Sequence, residues 1–309
     1  MRRLVIGGSG ALALLTLVLV LVAPRATAGD TIREYWIAAV PMTWNVAPNQ
    51  RNAIEHERFT RAQTTMRTVV YRAFTKDFEQ PIPNAPGNQG LQGPLIKASV
   101  GDRIVVHFRN LDSFTNKPHS MHFHGVRYGM GSDGAYIPGF SGPGAVVKPG
   151  QEFTYRLTAE PGSAGVWPYH DHSTSMTDSI AGGMYGALSI AAPGERPPDR
   201  EFVVFLSTHL EFMTINGRAF VGNTPVFRAK VGELVQWDVL TLGDDFHTFH
   251  VHGHRWLAPD GTPTDTRVLG PAESFRVRWV EDVPGTWLYH CHVESHMMNG
   301  MIGIYRVTP

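Results

Sequence analysis

Short apolar runs broken by turn residues recur along almost the whole chain, and no stretch carries a sustained helical period. Tyr35-Trp36-Ile37-Ala38-Ala39-Val40, Thr68-Val69-Val70-Tyr71 and Arg103-Ile104-Val105-Val106-His107-Phe108 alternate or run apolar between turn residues, as strands do. The exception is the N-terminus. Arg2 and Arg3 precede an apolar stretch from Ala11 to Ala23, and Ala26-Thr27-Ala28 offers small residues for cleavage. This pattern predicts a secretory signal over residues 1–28, with Gly29 as the first mature residue. The apolar stretch is too short to span a bilayer comfortably. The expected location is therefore secreted, periplasmic or at the cell surface, with no membrane attachment after cleavage. The Arg2-Arg3 pair is compatible with twin-arginine export.

The strand pattern repeats. Val100-Gly101-Asp102-Arg103 returns as Val231-Gly232-Glu233-Leu234, and Gly165-Val166-Trp167-Pro168-Tyr169-His170 returns as Gly285-Thr286-Trp287-Leu288-Tyr289-His290. Each half carries one histidine cluster after its first motif and ends with a histidine pair. A polar, proline-rich segment, Ala192-Pro193-Gly194-Glu195-Arg196-Pro197-Pro198-Asp199, separates the halves. Two all-β domains follow, 29–193 and 194–309, each sized like a β-sandwich. Composition agrees: 32 glycines and 22 prolines suit strands joined by turns rather than a helical bundle. The 27 basic and 27 acidic residues balance, and loss of residues 1–28 removes three arginines and no acid, leaving −3. No run of like charge points to nucleic acid.

The chemistry lies in the histidines and the one cysteine. Four separate pairs have i, i+2 spacing, His122/His124, His170/His172, His250/His252 and His290/His292, and His254 extends the third by two more residues. With 15 histidines in 309 residues, chance supplies fewer than one such pair. Residues i and i+2 of a strand share a face, so each pair can aim two imidazoles at one metal cluster. Cys291 sits between His290 and His292 and so points to the opposite face. A lone cysteine in an exported chain forms no internal disulfide, which leaves a reactive, intermolecular or metal-ligating thiol. His247 precedes His250 by three residues; His296 and Met301 follow Cys291 by five and ten. Two imidazoles, a thiolate and a weak thioether form the ligand set of an electron-transfer blue copper. Zinc also takes Cys and His, but a structural zinc needs four ligands and this set offers twelve.

These motifs resemble the multicopper oxidases, and among them the small two-domain laccases. The carriers are His122-Phe123-His124-Gly125, Trp167-Pro168-Tyr169-His170-Asp171-His172, His247-Thr248-Phe249-His250-Val251-His252, and His290-Cys291-His292 through His296 to Met301. The resemblance implies two cupredoxin-like Greek-key sandwiches and four coppers per chain. A type 1 copper would take His247, Cys291, His296 and Met301, and a type 2 copper His122 and His250. A type 3 pair would take His124, His170, His172, His252, His290 and His292. Asp171 stands where the second domain has Cys291, and a carboxylate does not replace a soft thiolate, so a type 1 copper is expected only in the second domain. The resemblance also implies a homotrimer with the clusters between chains, a small-molecule electron donor and dioxygen as acceptor.

Asp133 and Tyr128 match positions that supply protons and electrons in the small laccases; as plain residues, Asp133-Gly134 reads as a turn and Tyr128 as strand packing. His56, His107, His119, His209 and His254 fall outside the motifs, with His254 read as a supporting or structural residue. Met297 and Met298 read as packing, and Trp167 and Trp287 as core. The leading function is oxidation of phenols or aromatic amines. Alternatives are a ferrous or cuprous oxidase, a copper nitrite reductase, and a copper-binding electron carrier. Nitrite reductase keeps its blue copper in the first domain, and a carrier leaves eight paired histidines without a task.

Overall fold

The computed structural model describes residues 31–86 and 90–309. The signal reading for residues 1–28 lies outside the described residues. The alternating runs form strands somewhat longer than their apolar centres. Ile32–Asn45 pairs antiparallel with Thr65–Phe74 and parallel with Arg103–Asn110, which pairs with Glu152–Thr158. A second sheet lies against this one, in the order Ile96–Ser99, Tyr185–Ala191, Gly165–His170, His122–Phe123. Side chains alternate across each strand, so both inner faces supply one core, including Ile37, Tyr71, Phe108, Tyr155, Tyr169 and Leu188.

Residues 200–308 repeat this plan. One sheet runs Phe212–Ile215, Arg200–His209, Leu234–Thr241, Ser274–Val280. The other runs Val226–Lys230, Ile302–Thr308, Gly285–Cys291, His247–Val251, Thr266–Leu269. The first four strands of the second sheet match the first half, and Thr266–Leu269 is an addition beside the histidine strand. Helices are short: Met176–Ala181 follows the first histidine-ending strand, and Glu294–Met298 follows the second. No helix among the described residues is long and apolar enough to cross a membrane.

The halves are packed against each other. Leu95, Val166, Tyr185 and Ala187 meet Phe205, Leu240 and Leu242 in one apolar cluster. Arg276 reaches across to the Ile190 carbonyl at 3.0 Å and the Ser189 hydroxyl at 2.6 Å, while its Nε–H donates to Asp238 at 2.8 Å. The proline-rich segment is no loose tether: Glu195 accepts from Arg278 at 2.6 Å and from the Ala192 N–H at 2.7 Å.

Candidate metal centre

The repeat puts the same donors at the same end of each second sheet. His122 faces His170 across paired strands, and His250 faces His290. His124, His172, His252 and His292 lie just beyond the strand ends, yet their rings still gather. The His122 ring centroid is 5.2–5.5 Å from those of His124, His170 and His172. His250 stands 5.2–5.5 Å from His252, His290 and His292.

Backbone carbonyls set the tautomers. The Nδ1–H groups of His122 and His250 each donate to a carbonyl at 2.7 Å, that of Asp133 and that of Asp265. His170 and His290 donate to the carbonyls of Asp171 and Cys291 at 3.0 and 2.9 Å. A carbonyl only accepts, so the proton sits on Nδ1 and the Nε2 lone pair points inward. Nε2 of His124 lies 3.2 Å from Nε2 of His170, and the His252–His290 pair repeats this at 3.1 Å. Burial pushes the pKa of His124, His170 and His290 down to about 4, so these rings are neutral at pH 7. Neutral imidazoles crowding their lone pairs together could hold a cation. Among the described residues, each group of donors close enough to share an ion stays within one domain: His122/His124/His170, His250/His252/His290 and His247/Cys291/His296.

The third group is different in kind. Cys291 Sγ lies 3.9 Å from His247 Nδ1 and 3.7 Å from His296 Nδ1, and the two nitrogens are 3.2 Å apart. A point equidistant from the three lies roughly 2.1 Å from each, the length of a first-row metal–imidazole bond. Softness and size therefore both suit copper. Cys291 is buried among the apolar residues of the second core, together with Met301. The helix Glu294–Met298 brings His296 in, and the chain then turns so that the Met301 carbonyl accepts from the Cys291 N–H at 3.1 Å. Burial raises the thiol pKa, and the Thr248 N–H, 3.3 Å from Sγ, acts against that. The single strand Gly285–Cys291 thus carries the thiol on its core face and, beside it, His290 on the other.

Asp133 and Tyr128 both stand beside His122. The Asp133 carboxylate is 3.7 Å from His122 Nδ1, and the Tyr128 ring centroid is 5.9 Å from that of His122. Burial and then the charge of Asp133 raise the Tyr128 pKa. His254 is buried and donates from Nδ1 to the His252 carbonyl at 2.7 Å; its Nε2 meets Glu281 at 2.8 Å. Glu281 and Asp112 escaped the sequence reading. Both are carboxylates in turn-like stretches, and only the fold brings Glu281 to His254 and Asp112 to His119. His107 stacks on Trp36, and His209 is buried between the domains against Tyr185, so neither joins a donor group.

Two family descriptions match the chain, both of multicopper oxidases, one over residues 79–195 and one over 195–309. The chain belongs to the multicopper oxidase family. The fold it shares with that family is cupredoxin-like. A solved multicopper oxidase shares 26% identity and superposes with a TM-score of 0.70 over 91% of each chain. Among curated relatives, a probable nitrite reductase–hydroxylamine oxidoreductase fusion protein of Kuenenia stuttgartiensis is 34% identical over 77% of the chain and 29% of its own length. The human ferroxidase HEPHL1 is 30% identical over 90% of the chain and 29% of its own length. This multicopper oxidase chain thus spans about three-tenths of the length of the curated relatives it matches.

Proposed function

We propose that the chain is a laccase-like oxidase that withdraws single electrons from phenols or aromatic amines at the Cys291 site and delivers four to dioxygen, releasing water, at a histidine cluster. The observation that carries this reading is the strand Gly285–Cys291, which joins a soft trigonal donor set to an imidazole quartet through one residue. His247, Cys291, His296 and Met301 would hold the type 1 copper, His122 and His250 the type 2 copper. His124, His170, His172, His252, His290 and His292 would hold the type 3 pair, giving four coppers per chain. When bound, copper supplies the one-electron chemistry at the thiolate and the dioxygen chemistry at the imidazoles.

The chain's own residues do the rest. Cys291 is covalently continuous with His290 and His292, a short route for an electron. The carbonyls of Asp133, Asp265, Asp171 and Cys291 hold four Nε2 lone pairs inward. Asp133, beside His122, is placed to pass the protons that water formation consumes, with Tyr128 next to it. Each quartet stands alone within its chain, which favours a head-to-tail homotrimer whose clusters form between copies. Domains 29–193 and 194–309, the first preceded by a cleaved signal, complete the proposal of an exported enzyme.

The test is absorption and oxygen uptake of the copper-loaded protein, parental and Cys291→Ser. The parental protein should show an intense thiolate band and steady dioxygen consumption with a phenol. The variant should lose both while keeping near-ultraviolet absorption from the imidazole sites. A colourless parental protein would end the oxidase reading.

One observation favours a metal-ion donor instead. The Asp245 carboxylate acts electrostatically on both His247 and His296 and is fixed by the Thr208 hydroxyl at 2.8 Å. Such an acid beside the partly exposed His296 would attract ferrous ion, and named ferroxidases are among the relatives. The ratio of kcat/KM for ferrous ion to that for a phenol separates the two readings.

A further inference from the structure

The first domain contains a counterpart of the Cys291 site with no thiolate and no second imidazole in it. His119 precedes His122 by three residues, as His247 precedes His250, and Asp171 lies between His170 and His172, as Cys291 lies between His290 and His292. The contacts repeat as well. The Ser120 N–H donates to Asp171 Oδ1 at 2.8 Å, where the Thr248 N–H meets Cys291 Sγ at 3.3 Å. The Asp171 N–H donates to the Met184 carbonyl at 3.0 Å, where the Cys291 N–H meets that of Met301 at 3.1 Å. Met184 and Met301 are both fully buried.

What fills the first site is a ring. His119 Nδ1 lies 3.1 Å from Asp171 Oδ2, and its Nε2 lies 3.2 Å from Asp112 Oδ2. All three side chains are buried. Ionised carboxylates only accept, so both ring nitrogens must carry protons and His119 is an imidazolium. Burial alone would lower the His119 pKa, but Asp171 and then Asp112 raise it, and the Asp112 carboxyl titrates below its usual range.

Asp171 turns that charge into geometry. It also accepts from the Ser173 N–H at 3.1 Å and hydroxyl at 3.0 Å, and from the Ser120 hydroxyl at 3.2 Å. The same Ser120 hydroxyl accepts the His172 N–H at 3.1 Å. One carboxylate therefore ties the segment before His122 to the chain on both sides of His172.

We infer that Asp112, His119 and Asp171 form a metal-free counterpart of the thiolate site, in which the buried imidazolium takes the place of a metal ion and Asp171 acts as a positioning residue that aims the first-domain histidine quartet. This rests on the reading that the quartets hold copper. Groups that orient metal-ligating histidines typically govern affinity by 10–100-fold.

The test is a copper titration of the full chain, parental and Asp171→Asn, following the imidazole-site signal by electron paramagnetic resonance and near-ultraviolet absorption, with the blue thiolate band as internal reference. Asp171→Asn should weaken copper binding at the histidine clusters at least tenfold while the blue band titrates as in the parent. Asp112→Asn touches neither Asp171 nor the quartet, and should shift the same signal in the same direction; it also keeps the test open if Asp171→Asn does not fold. A folded Asp171→Asn or Asp112→Asn chain that melts earlier but titrates both sites like the parent would overturn the inference. A parental chain with no copper signal from the histidine clusters would instead overturn the reading beneath it.

Discussion

His209 shows how a single histidine outside every donor group can shape the protein's response to acid. Its ring donates from Nδ1 to the Ala181 carbonyl at 2.7 Å, and its Nε2 lies 2.8 Å from the Tyr185 hydroxyl, so it bridges the two domains as a neutral group. Burial pushes its pKa down to about 4. The unfolded chain, with an ordinary imidazole, binds the extra proton between pH 6.5 and 4, so stability is lost as pH falls through that window. The ceiling is on the order of 3 kcal/mol. His209→Gln should reduce the slope of unfolding free energy against pH by up to about 1.4 kcal/mol per pH unit there, measured by denaturant melts of the metal-free protein. None of this was legible in the sequence, where His209 is one more unpaired histidine. The eight paired imidazoles were legible because their spacing is local. Glu281 was not, because it meets His254 only through the fold.

At the scale of elements, the repeat extends to how each histidine strand is seated. Tyr169 and Tyr289 precede His170 and His290, and their hydroxyls donate to the carbonyls of Pro94 and Pro225 at 2.6 and 2.8 Å. Each ring lies over a glycine of the neighbouring strand, Gly186 or Gly303, where any Cβ would overlap it. Trp167 and Trp287 cover Gly125 and Gly253 in the same way. Glycine here is a packing requirement, and a strand pattern alone does not reveal it, since the partner lies on another strand. Gly303→Ala should cost about 1–3 kcal/mol by overpacking and displace Tyr289, with His290 moving along. Thermal melts and the copper content of the purified variant check this. The strand cores were readable from alternation. Strand ends were less so, because the pairs straddle them: His124 and His252 lie past the last paired residue.

For the whole molecule, the proposed cluster between copies makes a sharp expectation. A chain with His124→Ala and a chain with His252→Ala should each keep the blue band and lose dioxygen uptake. Dissociated, mixed in equal amounts and reassembled, roughly a quarter of head-to-tail contacts would join two intact quartets, and activity should return toward that fraction. A cluster closed within one chain would gain nothing from mixing. Sequence spacing alone left both arrangements open, because it says which donors belong together but not which copy supplies them.

The only thiol of the chain is also one of its most enclosed side chains, with no exposed surface. A thiol reagent can reach it only while the strand Gly285–Cys291 is open. Labelling therefore acts as a clock for rare excursions from the native state, with no competing cysteine to blur the reading. The labelling rate divided by the rate for the unfolded chain is the open fraction. Added copper should stretch the clock by the free energy it contributes to the closed state. One buried sulfur thus reports, in a single time course, how often the core breathes and how firmly metal holds it shut.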